Sequence, residues 1–431
     1  MMENYQELVQ KQKSFFRSGK TKETAFRKQA LTTIKEYMTS HQQDIIDAVK
    51  ADLNKPEEET NRAEIGLVLS EIDFMLENLD TWSATQEVPT PKTHGEAKSF
   101  IQPEPYGSTL VISPWNYPVQ LAVAPLVGAI AAGNTAVLKP SELTPNTSSL
   151  LAGMINENFK EEYIHVVEGE VETSTALLKE NFDYIFFTGS TGVGRIVAEA
   201  AAKTLTPTTL ELGGKSPAIV HKDADLDQAA ARIAGGKFMN AGQTCVAPDY
   251  VLAHSDVKEA LMQKIKEVKT NTYGDVVPAD TYPHVVSGKH FDRLKNFLDN
   301  GELYMGGRTD KENLFIEPTL IDQITWEDDV MQDEIFGPIL PVLTFDEVSE
   351  AVEAVMDRPK PLALYLFTKD EEVQNDVFTN ISFGGGAIND TINHMTTHYL
   401  PFGGVGNSGM GAYHGKASFD TFTHFKSVLK R

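Results

Sequence analysis

Ser108-Thr109-Leu110-Val111-Ile112-Ser113 leads into Pro114-Trp115-Asn116-Tyr117-Pro118, and the same texture returns three times downstream. Thr135-Ala136-Val137-Leu138-Lys139-Pro140-Ser141-Glu142 reads as a strand and then a turn. Tyr163-Ile164-His165-Val166-Val167 and Tyr184-Ile185-Phe186-Phe187 read as further short strands. Each is apolar along its length, and helical runs separate them, one reaching about residue 158 and another covering 174–180. Strands without a polar face, joined by helices, predict a parallel sheet covered on both sides. Ligands in such sheets bind at the carboxyl ends of strands, where Lys139, Glu142 and the turn at Gly189 all fall. The apolar run 121–133 carries Pro125 and is too short to span a bilayer, so it reads as a buried core helix.

Upstream, residues 1–80 show helical periodicity in Leu8, Phe15 and Phe16, in Leu31, Ile34 and Tyr37, and in Ile65, Val68, Leu69 and Ile72. Charged residues fill the gaps, which predicts amphipathic surface helices. Residues 81–104 lose that period and carry Pro89, Pro91, Gly95 and Pro103, a pattern open to a linker, an edge hairpin or an oligomerisation arm. The balance of 38 Lys+Arg against 61 Asp+Glu gives a net charge of −23, which argues against nucleic-acid and anionic-membrane partners. The polar start, the ending Val428-Leu429-Lys430-Arg431 and a single cysteine point to a soluble cytoplasmic protein with no membrane anchor and no thiolate metal cluster.

The chemistry concentrates in a few segments. Thr188-Gly189-Ser190-Thr191-Gly192-Val193-Gly194-Arg195 follows a strand and precedes a helix read at 196–203. Glycines there let a backbone approach a phosphate at a helix N-terminus, although the spacing departs from G-x-G-x-x-G and an ordinary turn explains it equally well. Glu211 stands in an apolar strand that breaks at Gly213 and Gly214, as a partly buried base or as a solvated strand end. The lone Cys245 lies in Asn240-Ala241-Gly242-Gln243-Thr244-Cys245-Val246-Ala247-Pro248-Asp249, between a helical run at 227–236 and a strand-like run at 250–253. Gly242 and Pro248 put it on a turn, where a nucleophile is best presented. Residues 217–345 continue the βα texture and end near the acidic-aromatic turn Asp333-Glu334-Ile335-Phe336-Gly337-Pro338. The glycine-rich stretches 383–390 and 400–411 are interleaved with Phe383, Ile388, Phe402 and Val405, which predicts packed loops near a substrate entrance. His394 and His398 read as structural, and no metal is needed.

Taken together, these motifs resemble the aldehyde dehydrogenase superfamily along almost the whole chain. Pro114 to Pro118, Gly133-Asn134-Thr135 through Glu142, Phe187-Thr188-Gly189-Ser190-Thr191, Glu211-Leu212-Gly213-Gly214-Lys215-Ser216-Pro217, Gly242-Gln243-Thr244-Cys245 and Glu334-Ile335-Phe336-Gly337-Pro338 occur in the family's order. Cys245-Val246-Ala247-Pro248-Asp249-Tyr250 and the run 400–416 look most like class 3. Ser190 stands where class 3 members often have Asn.

The resemblance implies an α/β fold: a Rossmann-like cofactor domain at 1–80 and 105–211, a second α/β catalytic domain at 212–414, and bridging or oligomerisation elements at 81–104 and 415–431. It implies that Cys245 attacks an aldehyde to form a thiohemiacetal, that hydride passes to a nicotinamide, and that water hydrolyses the resulting thioester. Glu211 would be the general base, with Asn116 and the Cys245 backbone N–H as oxyanion donors. Lys139 and Glu142 would hold the adenosine ribose, with Gly189, Ser190, Gly194 and Leu212 around the pyrophosphate and nicotinamide. Glu334 would hold the nicotinamide ribose, and Phe336 would pack beside the ring.

A carboxylate at the ribose favours NAD, with NADP also accepted by class 3 relatives. Tyr117, Thr244 and Phe402 would line an apolar funnel for medium-chain aliphatic or aromatic aldehydes. No arginine neighbours Cys245 in sequence, which speaks against a dicarboxylate semialdehyde. A homodimer follows by analogy. Competing readings are a cofactor-free thiol hydrolase, a coenzyme-A-acylating relative and a non-catalytic protein that kept the fold.

Overall fold

The computed structural model describes residues 5–431 and builds them around two large sheets. The first has six strands in the order β17-β7-β6-β3-β4-β5. These are β3 (Ser108–Ile112), β4 (Thr135–Lys139), β5 (Ile164–Val166), β6 (Tyr184–Thr188), β7 (Thr208–Glu211) and β17 (Gly409–Met410). All neighbours are parallel except β17, which runs antiparallel to β7. Every residue of β3, β4 and β6 is buried, which is why these strands are mostly apolar, with polar residues confined to their ends. The helix Gln120–Ala132 is likewise buried at every position, with Pro125 inside it.

The second sheet has seven strands: β8 (Pro217–Val220), β9 (Tyr250–His254), β10 (Glu302–Met305), β13 (Thr319–Asp322), β14 (Ile339–Phe345), β15 (Ala363–Phe367) and β16 (Gly385–Ile388). Its centre is parallel, as expected from the texture at 217–345. The edge departs from it: β10 pairs antiparallel with β13, and β11 (Thr309–Asp310) with β12 (Phe315–Ile316) forms a separate small hairpin. Half-exposed or short strands do not carry the continuous apolar signature, so this edge is hard to read from sequence.

The irregular segment 81–104 is a hairpin. β1 (Gln86–Val88) pairs with β2 (Lys98–Pro105), and β2 pairs along its length with β18 (Thr423–Lys430). The two segments singled out as bridging elements therefore form one three-stranded sheet. β18 is its outer strand, and Phe425, Val428 and Leu429 stand exposed on it.

Two readings are corrected. The helix expected at 196–203 begins earlier, at Thr191, because Ser190 caps it by accepting from the Val193 amide at 3.4 Å. The helix expected at 174–180 lies at Val171–Leu177. The glycine-rich stretches are packed, as expected, but not all loop, since 385–388 is strand β16 and 409–410 strand β17. A methyl on Gly404 would sit 2.1 Å from the Ser408 carbonyl oxygen, and one on Gly384 2.4 Å from that of Gly403. Because backbone cannot yield as a flexible side chain does, Gly404→Ala is expected to destabilise the protein by about 1–3 kcal/mol, seen as a lower denaturation midpoint. An unchanged midpoint would show that the loop accommodates the methyl.

Candidate active site

The site is assembled at the carboxyl ends of the six-stranded sheet. Ser113 follows β3, Lys139 ends β4, Thr188 ends β6 and Glu211 ends β7. The hydroxyls of Ser113 and Thr188 and both carboxylate oxygens of Glu211 are buried with no hydrogen-bond partner among the described residues. Buried polar groups are normally paired, so a row of orphans along one sheet edge marks a place built to meet something else.

The surroundings fit a dinucleotide. Gly189 and Gly194 leave no room for side chains: a Cβ on Gly189 would lie 2.6 Å from the Phe187 ring, and one on Gly194 2.5 Å from Leu212. The helix starting at Thr191 offers its free N-terminal amides beside exposed Ser190. Lys139 Nζ donates to the Pro140 carbonyl at 2.8 Å and to the exposed Glu142 carboxylate at 3.1 Å, which sets the pair side by side at the sheet edge.

Cys245 follows a turn of unusual backbone. Asn240, Ala241 and Gly242 lie at φ 50°, 51° and 69°, three successive residues in the left-handed region just after the helix Leu226–Phe238. Gly242 is suited to it and Asn240 tolerates it at a cost, whereas an alanine there is strained. The missing side chain of Gly242 is also required by a neighbour, since a Cβ there would lie 2.2 Å from the Gly337 carbonyl oxygen. Burial holds the strained pair: Ala241 packs with Val277, Tyr282 and Phe315, and the Asn240 amide donates to the carbonyls of Asn116 at 2.8 Å and Gln243 at 3.1 Å. Gln243 completes the knot, its side chain donating to the Asn240 and His284 carbonyls and accepting from the Val286 amide.

Asn116 is buried, and its side-chain amide donates to the Gln243 carbonyl at 3.0 Å. This bond uses one amide hydrogen and leaves the other. Its backbone carbonyl accepts from Lys55 Nζ at 3.0 Å. Lys55 is fully buried in an ion pair with Glu64 at 2.5 Å, and the other Glu64 oxygen accepts the amides of Val119 and Gln120, each at 3.0 Å. Lys55 also stands 4.1 Å above the Tyr117 ring, and the Tyr117 hydroxyl pairs with Thr244 at 2.7 Å. A buried ion pair from the N-terminal helices thus fixes the segment that carries Asn116 and Tyr117. Glu64 sits in a π-helical turn, Asn61–Gly66, a geometry frequent at functional sites.

Electrostatically, the site is dominated by burial. The Cys245 thiol is pushed up to about 12, first by burial and then by the carboxylates of Glu334 and Glu211, which places both carboxylates within its field. The backbone amides of Cys245 and Val246 act in the opposite direction. Burial lifts Glu211 well above the usual carboxylate range and Glu334 to about 8. The Glu334 carboxylate lies against Gly213, where a Cβ would be 2.0 Å away, and accepts from the Gly214 amide.

Its loop is tied down from three sides. Arg293 donates to the carbonyls of Glu334 and Ile335, Asp249 accepts from the Ile335 amide, and Lys215 bonds Asp249 at 2.6 Å and the Asp333 carbonyl at 2.9 Å. Phe336, at φ 49°, meets Trp115 edge-on with ring centres 5.3 Å apart.

A cavity of about 280 Å³ opens on Cys245. Tyr117, Thr244 and Phe402 line it, together with Leu121, Met239 and Ile392. Asn116 and Glu211 are not on its wall. Two arginines are: Arg62 and Arg232 reach it from the π-helical turn and from the helix before Cys245. The reading from sequence neighbours missed them because they approach through space. Among the described residues no cluster of potential metal ligands is present.

Glycine-lined strand ends beside a thiol in the field of the Glu211 and Glu334 carboxylates, with an apolar cavity opening on the sulfur, suit a nicotinamide-linked oxidoreductase of aldehydes. Residues 2–428 match the aldehyde dehydrogenase family, and the chain belongs to that family. The 4,4'-diaponeurosporen-aldehyde dehydrogenase of Staphylococcus aureus is 48% identical over 97% of this chain and 92% of its own length. The dimeric NADP-preferring aldehyde dehydrogenase of Canis lupus familiaris is 43% identical over 100% of this chain and 95% of its own length. The solved substrate-bound state of Staphylococcus aureus AldH superposes with a TM-score of 0.98 at 47% identity, covering 100% of this chain and 94% of that one. The chain is accordingly an NAD(P)-dependent enzyme that oxidises aldehydes.

The Lys55–Glu64 pair gives a test of how this site is held. Glu64→Gln leaves a buried lysine without its counter-charge and is expected to destabilise the protein by about 3–5 kcal/mol. Replacing both partners by Lys55→Met with Glu64→Gln is expected to cost less than the single change, as read by chemical denaturation. A double variant no more stable than the single one would contradict the ion-pair account.

Proposed function

We propose that this enzyme oxidises apolar aldehydes, aliphatic of medium length or aromatic, to carboxylic acids through a covalent adduct on Cys245, with Glu211 as the base that releases the product. The observation that carries the reading is Glu211 itself. A carboxylate buried at a strand end with neither oxygen paired is unfavourable for stability alone, and it lies within the field of the Cys245 thiol.

The Cys245 sulfur adds to the carbonyl carbon, and the spare amide hydrogen of Asn116 together with the Cys245 backbone N–H stabilises the resulting oxyanion. When bound, the nicotinamide supplies an acceptor for the hydride that leaves that carbon. Glu211 takes a proton from the water that attacks the thioester, so acid is released and the thiol restored. Residues 1–80 and 105–211 serve the dinucleotide and 212–414 the substrate. When the dinucleotide binds, Lys139 and Glu142 would hold the adenosine ribose, Gly189, Ser190 and Gly194 the phosphates, Leu212 and Phe336 the nicotinamide, and Glu334 its ribose. With Glu142 beside Lys139, a 2′-phosphate would meet one charge of each sign, which supports NAD as the preferred carrier and NADP as an accepted one. The exposed Phe425, Val428 and Leu429 on β18, at an open edge of the three-stranded sheet, support pairing of two copies through that sheet. The single cysteine supports a cytoplasmic setting, and no helix among the described residues is long and apolar enough to cross a membrane.

Following reduced-nicotinamide absorbance with hexanal or benzaldehyde tests the chemistry: Cys245→Ser is expected to abolish it, and Asn116→Ala to lower turnover by ~10²–10³ while the cofactor still binds. Unchanged turnover in either variant removes that residue from the mechanism. Lower KM for NADP than for NAD would contradict the charge argument at Glu142.

The pH dependence has a defined sign. Glu211 acts in its ionised form, and burial raises its pKa, so turnover limited by product release rises with pH through a range above that of ordinary carboxylates. Glu211→Gln is expected to remove that rise. Stability moves the other way. A carboxyl whose folded-state pKa is raised favours the fold when protonated, and that contribution is lost as pH increases. The melting temperature of Glu211→Gln is therefore expected to exceed that of the wild type by a margin that widens with pH. A constant margin would show that Glu211 is not buried as a charge.

A further inference from the structure

One wall of the cavity at Cys245 is under backbone strain. Ile392 lines it at φ 61° and ψ −42°, and the Asn393 amide donates back to the Thr391 carbonyl at 2.5 Å. This is the rare, strained form of the three-residue turn, and a β-branched residue suits it least. Its neighbours hold it closed. The Thr391 hydroxyl donates to the Arg232 carbonyl at 2.7 Å, and Asp390 accepts from the Thr391 amide at 2.8 Å and the Asn393 side chain at 2.9 Å. Strain that the surroundings over-determine in this way collects where conformation serves function.

Tyr365 connects this wall to the sulfur. It is fully buried on β15, and its hydroxyl donates to the Val246 carbonyl at 2.6 Å. That carbonyl belongs to the turn Thr244-Cys245-Val246-Ala247, which the Ala247 amide closes on the Thr244 carbonyl at 3.0 Å. The Ile392 backbone amide acts on the same hydroxyl, and Cys245 and Asp390 both lie within its field. Burial keeps the phenol protonated, so it stays a donor to Val246. His394, two residues beyond Ile392, packs edge-on against the Tyr365 ring with centres 6.0 Å apart. Tyr365 itself is not on the cavity wall, so whatever it does to the reaction passes through these neighbours.

We propose that Tyr365 is a positioning residue whose hydroxyl couples the wall at Ile392 to the turn carrying Cys245, so that an aldehyde chain reaching Ile392 settles the sulfur for attack. This rests on the covalent chemistry at Cys245 proposed above and adds a control on its rate. Binding energy from the far end of the chain then goes into orienting the nucleophile. It appears in the rate at saturation and not in affinity alone.

The test measures single-turnover formation of reduced nicotinamide at saturating n-alkanals, from propanal to octanal, with NAD. For the wild type, the saturated rate is expected to rise with chain length and to level off once the chain reaches Ile392. In Tyr365→Phe the ratio of the octanal rate to the propanal rate is expected to fall by roughly three- to tenfold, the size of one hydrogen bond. The half-saturating concentration still falls with chain length in that variant, because the apolar wall is intact. Ile392→Gly, which takes up the turn without strain, is expected to lower the same ratio, and the double variant to lower it no further. Because the ratio is internal to each preparation, a partly folded variant does not mimic the result. A wild-type rate that does not rise with chain length, a ratio unmoved by Tyr365→Phe, or additive losses in the double variant overturns the coupling and leaves the chemistry at Cys245 standing. Reduction that persists in Cys245→Ser overturns the reading beneath it, and this proposal with it.

Discussion

Three successive residues at positive φ, Asn240, Ala241 and Gly242, set the position of the only cysteine, and much of the surrounding structure serves to hold them. Left-handed backbone at an alanine is unfavourable by ~1–2 kcal/mol. It persists because Ala241 is buried beside the Tyr282 and Phe315 rings and because the Asn240 and Gln243 side chains donate to buried carbonyls of the turn and its neighbours. The Asn116 carbonyl joins this turn to the Lys55–Glu64 pair, and the contact of Gly242 with Gly337 joins it to the Glu334 loop. One strained turn thereby registers three distant parts of the chain: the N-terminal helices, the loop after β3 and the loop before β14.

That registration brings like charges together in a dry place. Glu211, Glu334 and the Cys245 thiol each lie above their ordinary titration range, with burial as the leading cause for all three. Burial opposes charge on all three groups. The thiol gains its reactive form only when something offsets burial, and the backbone amides of Cys245 and Val246 already act in that direction.

Much of the framework was legible in the sequence because its signals are local. The strands at 108–112, 135–139 and 184–188 are buried on both faces and so apolar through their centres, and Gly242 marks a close approach to backbone that only glycine allows. The family motifs put Cys245, Tyr117, Thr244 and Phe402 on a common list, and one cavity gathers all four. What stayed hidden acts through space. Lys55, Glu64 and Arg62 lie in a charged helical stretch that reads as solvated surface, yet Lys55 and Glu64 are fully buried and Arg62 faces the cavity. Helical periodicity places a residue on a face; it does not say that the face meets an active site. The hairpin at β1 and β2 was hidden for another reason, since its half-exposed residues lack a clean alternation and its partner strand is over 300 residues away in sequence.

The account turns on Glu211 releasing the product from Cys245. The most direct measurement is the intact mass of Glu211→Gln, quenched in acid shortly after mixing with NAD and an aldehyde. The account expects the protein to gain the mass of one acyl group, located on Cys245 by peptide mapping, while the wild type under the same conditions carries far less. Sustained turnover in Glu211→Gln with no adduct on Cys245 would contradict it.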